Sequence, residues 1–238
     1  MASGLGVATL KAGRPLGWFM FQALGVHGPV LTPLAAMLVD IALVVAAFSF
    51  MVAAPRTNRM TVAALATLVV SVAAVRVLMQ PLPNVQPVTV AALLVGAHLG
   101  VRRGASFAIL VTLLSNLLIS HGWWTLFQAL GWASVAVVGA RAGLIENGKL
   151  NLPRLCFFAA AAAPLFGFIA TLSLIVPGLT AAQFLVLLSQ GVPFDVVHAL
   201  GNVAFALWVG PLLHAFLGGL ASSETELLAT GDLHGIDA

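Results

Sequence analysis

Asp195, His198 and Asn202 fall at i, i+3 and i+7, close to one face of a helix, and are the chain's most suggestive spacing of chemical groups. A carboxylate and an imidazole so placed could serve as a general acid–base pair. Asp195 stands at the expected start of a helix, where the N-terminus favours an anion. No serine or cysteine in a nucleophile motif accompanies them, and no His-Glu-x-x-His zinc pattern occurs. His198 and Asn202 alone are too few ligands to close a metal site. A Walker A loop is absent, which excludes ATP hydrolysis by that route. The expectation is a protein with no catalytic residue, metal or cofactor of its own.

A second cluster is aromatic and amide-rich. Gly122 to Trp132 reads GWWTLFQALGW, Ser115 and Asn116 precede it, and the PNVQP run at Pro83 to Pro87 sets Asn84 and Gln86 on a proline-stiffened turn. Gln128 and Trp132 are four apart, so they leave one helical face together and could hold opposite edges of one ligand. Indole faces at Trp123, Trp124 and Trp132, with amides beside them, suit a neutral or zwitterionic organic ring system bound by stacking and paired hydrogen bonds. An interfacial aromatic belt would explain the tryptophans, but a belt has no need of Gln128, Asn116 and Asn84.

The elements that must position these groups are membrane helices. Hydrophobic residues make up 61% of the chain and charged residues 7%, against about 25% charged in soluble domains. At about 20 apolar residues per crossing, the chain has room for six or seven helices and little else. The expected spans are residues 30–54, 60–79, 88–100, 104–120, 123–143, 155–176 and 195–217. Residues 1–29 read as an interfacial leader anchored by Trp18, residues 178–191 as an interfacial lid helix, and residues 221–238 as a polar acidic tail.

Within the spans, Asp40 is either a polar contact in the bundle or with a partner subunit, or a protonated or locally paired carboxyl. Ala63, Thr67 and Ser71 form a four-residue stripe of small side chains, suited to packing within the bundle or to docking another subunit. Arg76 is near enough to the end of its span that it could snorkel, and His98 is expected to be a packed core histidine. Gly96, Gly100 and Gly104 permit a tight corner, and Cys156 reads as a small buried hydrophobe.

Charge orients the helices. With the N-terminus outside and seven crossings, Arg56, Arg59, Arg102, Arg103, Arg141, Lys149 and Arg154 lie in the cytoplasm, and only Lys11, Arg14 and Arg76 lie outside. This accounts for the basic residues without nucleic acid. It also brings PNVQP, the tryptophan cluster and the PFDVVH segment to one outer face.

The series PNVQPVT, Ser115-Asn116, GWWTLFQALGW and GVPFDVVHALGN resembles the substrate-binding membrane subunit (S component) of energy-coupling factor transporters for vitamins, in the branch with cobalamin-type members. The likeness runs from about Arg76 to Leu217. By that resemblance Asn84, Gln86, Asn116, Trp124, Gln128, Trp132, Asp195, His198 and Asn202 sit at the family's motif positions, with Trp123 beside them. Trp123 and Leu126 replace prolines of the usual pattern, Phe127 replaces tryptophan, and Ala129 replaces methionine. The resemblance implies an all-α polytopic membrane bundle, with a six-helix core plus one extra N-terminal transmembrane helix.

It also implies a multi-pass protein of the cell membrane, with its C-terminus cytoplasmic, that binds a vitamin without ATPase activity of its own. Its partners would be membrane lipids, a transmembrane scaffold subunit and two ABC-type ATPases, with Ala63, Thr67 and Ser71 at the docking contact. Two other classes stay open: a membrane enzyme of lipid or isoprenoid metabolism using Asp195 and His198, and a structural membrane subunit.

Overall fold

Backbone groups inside a bilayer find no water, so an apolar run of about twenty residues must satisfy its own hydrogen bonds by coiling. The computed structural model describes residues 21–25, 28–53 and 59–233. Among these residues the seven helices are α1 (Pro33–Val52), α2 (Arg59–Leu78), α3 (Val88–Ile119), α4 (Trp124–Arg141), α5 (Leu152–Thr171), α6 (Ala181–Trp208) and α7 (Gly210–Leu233). They form an all-α bundle. Among the described residues α1, α2, α3, α5 with its following 3₁₀ turn, and α6 are long and apolar enough to cross a membrane, which fits a multi-pass membrane protein. Leu34, Phe48, Phe157 and Leu200 stand exposed on their outer faces, as lipid-facing side chains would. Trp18, Lys11, Arg14, Arg56 and the end of the acidic tail lie outside the described residues.

Local chemistry sets the ends. Thr32 caps α1 by accepting from the Ala35 N–H at 3.3 Å, with Pro33 in the first turn. The helix starts there, later than Val30, because Gly28–Leu31 is a strand (β2) paired antiparallel with Phe21–Gly25 (β1). A second short hairpin, Ile145–Glu146 (β3) with Lys149–Leu150 (β4), turns on Asn147 and Gly148, both at positive φ.

The centre of the bundle is α3, which is two limbs folded on each other. Gly100 has φ 83 and ψ 171, a backbone conformation open to glycine. Beyond it the chain doubles back, so that a Cβ placed on Gly104 would lie 3.0 Å from Gly96 Cα. The three-glycine corner read from the sequence is thus present. The first limb is buried on every side, with Val88, Ala91, Leu93, Leu94 and Val95 at 0% exposure. Arg102, beside the corner, donates to the Ala53 carbonyl at the end of α1. Because nothing lies within 4 Å of a Cβ at Gly100, Gly100→Ala isolates backbone strain from packing. The expected loss is about 1–3 kcal/mol, read as a lower midpoint in thermal unfolding followed by tryptophan fluorescence. Gly191→Ala, in a helix and equally open, should show no such loss.

Three expectations about the C-terminal third require correction. Residues 178–191 and the start of the last span are one helix, α6, rather than a lid followed by a separate span. The Thr180 hydroxyl and Gln183 form a reciprocal capping box that launches α6, and Gly191 and Pro193 are carried inside it. Consequently Asp195 sits mid-helix and gains nothing from a helix N-terminus. The break comes later, between Trp208 and Gly210, where Pro211 lacks an N–H and its ring crowds the preceding turn. The expected 195–217 span is therefore divided between α6 and α7.

Candidate functional site

Arg76 ends α2 with 3% of its surface exposed, so it does not snorkel. Instead it is the centre to which separate segments converge. Its Nε donates to Gln86 Oε1 at 2.9 Å, from the proline-rich turn after α2. Its Nη1 donates to Asn116 Oδ1 at 2.7 Å and to the Ser115 hydroxyl, both on the second limb of α3. Its Nη2 reaches Gln128 Oε1 on α4 at 3.4 Å, and the Trp132 ring lies under the guanidinium with 4.9 Å to the centroid. Asn116 Nδ2 in turn donates to Gln128 Oε1 and to Thr125 Oγ1, each at 2.9 Å, leaving no group of its amide unpaired.

A second chain of contacts extends from Trp132. Its indole N–H donates to Thr89 Oγ1 at 3.3 Å, and Thr89 Oγ1 lies 3.2 Å from His198 Nε2. With the indole donating, the Thr89 hydroxyl is free to donate to an unprotonated Nε2. Phe166 fills the remaining side, 4.5 Å from the Trp132 ring and edge-on to His198 at 5.3 Å. Asn84, at φ 59, adopts the left-handed conformation that asparagine tolerates, and its amide donates to the Phe194 carbonyl of α6 at 3.2 Å. The turn after α2 is thereby fastened across to α6.

Gln86, Asn116, Gln128, Trp132 and His198 are therefore joined into one assembly, although 112 positions separate the first from the last, whereas Asn84 is tied to α6 alone. The other expected residues are not part of it. Asn202 is fully buried but donates to the Ala159 carbonyl at 3.0 Å, a bond between α6 and α5. The Asp195 carboxylate lies against Gly167 of α5, where a Cβ would collide with it. Trp123 packs edge-on against Phe127, and the ring of Trp124 covers Gly122; both are half-buried at the start of α4. The assembly is also largely closed: Thr89, Ser115, Asn116, Thr125 and Trp132 are 0–1% exposed, whereas Gln86 and Gln128 reach a partly open surface.

Arg76, Thr89, Ser115 and Thr125 were not among the expected binding residues. A lone arginine within an apolar span was signal enough for Arg76, since a charge in the membrane is by default a functional candidate. Asp40 proves locally paired: its carboxylate lies 3.0 Å from His121 Nε2, close enough for an ion pair but not aligned as a hydrogen bond. His121 Nδ1 continues to Thr125 Oγ1 at 3.4 Å. His98 is not a core residue. It meets His214 of α7 at 3.0 Å on the wall of a cavity of about 400 Å³, bordered also by Ile145, Gly148 and Ser222, and its partner comes from a distant helix that helical spacing could not reveal. Among the described residues no cluster of three or more metal-ligating side chains occurs. No protein-family model, curated protein or solved structure matches the chain.

Proposed function

We propose that the chain is the substrate-capture membrane subunit (S component) of an energy-coupling factor importer, similar to the cobalamin-type branch, binding a vitamin or related micronutrient at its outer face. The observation that carries this reading is the Arg76 assembly. Three of the segments that bear the family resemblance supply Gln86, Asn116, Gln128 and Trp132 to a single arginine, and the fourth supplies His198, linked to Trp132 through Thr89. A purely structural subunit has no need to gather amides, indole and imidazole around a buried cation, because burying such a charge opposes stability.

The enzyme alternative depends on Asp195 and His198 acting together. No bond joins them, and the His198 Nε2 faces Thr89. In the proposed topology the N-terminus is outside, α1 is the extra helix, the two limbs of α3 cross separately, and the C-terminus is cytoplasmic. Delivery then requires the scaffold subunit and ABC-type ATPases, since this chain has no nucleotide-binding loop.

The test is mass spectrometry of small molecules released from gently purified protein, with a Gln128→Ala, Trp132→Ala double variant alongside. Wild type is expected to release one vitamin-like compound at close to one per chain, and the double variant almost none. Release of nothing but lipid from both proteins would refute the capture reading.

A further inference from the structure

Arg76 is a buried cation whose contacts are all neutral. Each hydrogen-bond acceptor is an amide or hydroxyl oxygen, and among the described residues no carboxylate pairs with it. Asp40 is engaged with His121 instead. A guanidinium out of water is ordinarily matched by an anion, so the arrangement is electrostatically incomplete.

The two edges of the fork differ. Nη1 is held by Ser115 and Asn116, which are 0% and 1% exposed and anchored on the central hairpin. Ser115 is fixed further by donating to the Val111 carbonyl at 2.6 Å. The Nε and Nη2 edge faces Gln86 and Gln128, both of which reach a partly open surface. The Nη2 bond is the weakest of the set at 3.4 Å, and its acceptor already serves Asn116 at 2.9 Å. Two amide oxygens thus occupy the edge of a guanidinium that matches the two oxygens of a carboxylate or phosphate. Trp132 closes the face of the same group.

From this we infer that the captured molecule carries an oxyanion, a carboxylate or a phosphate, which binds the Nε and Nη2 edge of Arg76 and displaces the side-chain oxygens of Gln86 and Gln128. This rests on the capture reading above and assigns its substrate class. The neutral amides keep the arginine hydrogen-bonded while the site is empty, and the incoming anion supplies the missing charge. Arg76 is then the principal specificity-determining residue, and neutral analogues of the same ring system are discriminated against.

The compound released from wild-type protein is identified first. It is then titrated back, as the free anion and as its neutral methyl ester or amide, onto stripped wild type, Arg76→Gln and Arg76→Lys, each checked for a monodisperse elution profile. Wild type is expected to bind the anion about 100-fold more tightly than the neutral derivative, the size typical of a buried charge pair. Arg76→Gln should bind the two forms equally. Arg76→Lys, which keeps the charge and loses the fork, should fall between them.

A neutral compound at one per chain overturns the oxyanion assignment and leaves the capture reading intact. Anion and neutral derivative binding wild type equally has the same effect, and needs no variant to fold. Phospholipid or no small molecule at all overturns both.

Discussion

Gly139→Ala and Gly96→Ala should each lower the thermal midpoint of the detergent-solubilised protein by about 6–12 °C, while Gly191→Ala and Gly219→Ala leave it unchanged or raise it. In isolation a helical glycine is about 1 kcal/mol worse than alanine, so propensity alone predicts stabilisation at all four positions. Packing reverses the sign at two of them. A Cβ on Gly139 would lie 2.6 Å from the Cα of Leu93, and one on Gly96 would lie 2.9 Å from the carbonyl carbon of Ala136. Both obstacles are backbone, which cannot rotate aside as a side chain would. Forcing extra volume into such contacts costs about 3 kcal/mol, and a chain of this length loses about 2–4 °C for each kcal/mol.

Gly191 and Gly219 have nothing within 4 Å and report the propensity term alone. The measurement is tryptophan fluorescence during heating, in one detergent for all five proteins. Equal midpoints across the four variants would mean that α4 does not lie backbone-to-backbone on the first limb of α3. The effect matters for the site, because this contact sets the spacing between Thr89 on one helix and Trp132 on the other.

Elements whose information is local were legible from sequence. Apolar runs bounded by Pro33, Arg59 and Trp124 became α1, α2 and α4 within a few residues of their expected ends, because hydrophobic length and helix-end chemistry are written in consecutive positions. The corner at Gly100 was legible for the same reason. The sites of error were those where tertiary packing overrides a local signal. A lid helix ending at Gly191 and a separate span from Asp195 were expected, yet one helix, α6, runs through Gly191 and Pro193 and packs along α5. Arg76 read as a snorkelling side chain, because nothing in its own neighbourhood of sequence tells that Ser115, Asn116 and Gln128 will surround it. His98 and His214 are 116 positions apart, beyond the reach of any spacing rule. In the site itself the amide and indole positions were legible as types. Their common partner was not, since convergence on one arginine is a property of the folded bundle.

If the chain is the capture subunit proposed above, introducing tryptophan at Thr67 and Ser71 together should leave capture intact and sharply lower delivery. Ala63, Thr67 and Ser71 lie on the exposed face of α2, opposite Leu65, Leu68, Val72 and Arg76, which face the bundle. The stripe therefore takes no part in packing within the described bundle, and the choice that remains is between lipid and another helix. Thr67 donates its hydroxyl to the Ala63 carbonyl at 3.0 Å, so its own polar group is satisfied within α2.

Small side chains bring a neighbouring backbone close and gain dispersion contacts that larger ones would prevent, whereas lipid chains flow around residues of any size. Two indoles on this face would thus be tolerated in lipid and would hold a scaffold helix away. Binding of the eluted compound to the purified variant should match wild type, because Arg76 points to the opposite side of α2. Uptake of that compound by cells expressing the chain with the proposed scaffold and ATPase subunits should fall by about tenfold or more, corresponding to about 1.4 kcal/mol of docking free energy. Unchanged uptake would assign the stripe to lipid and move the docking face to another helix. Lost binding together with lost uptake would show that the substitutions disturb α2 itself, and the single variants Thr67→Leu and Ser71→Leu, which add less bulk at the same positions, would then separate docking from folding.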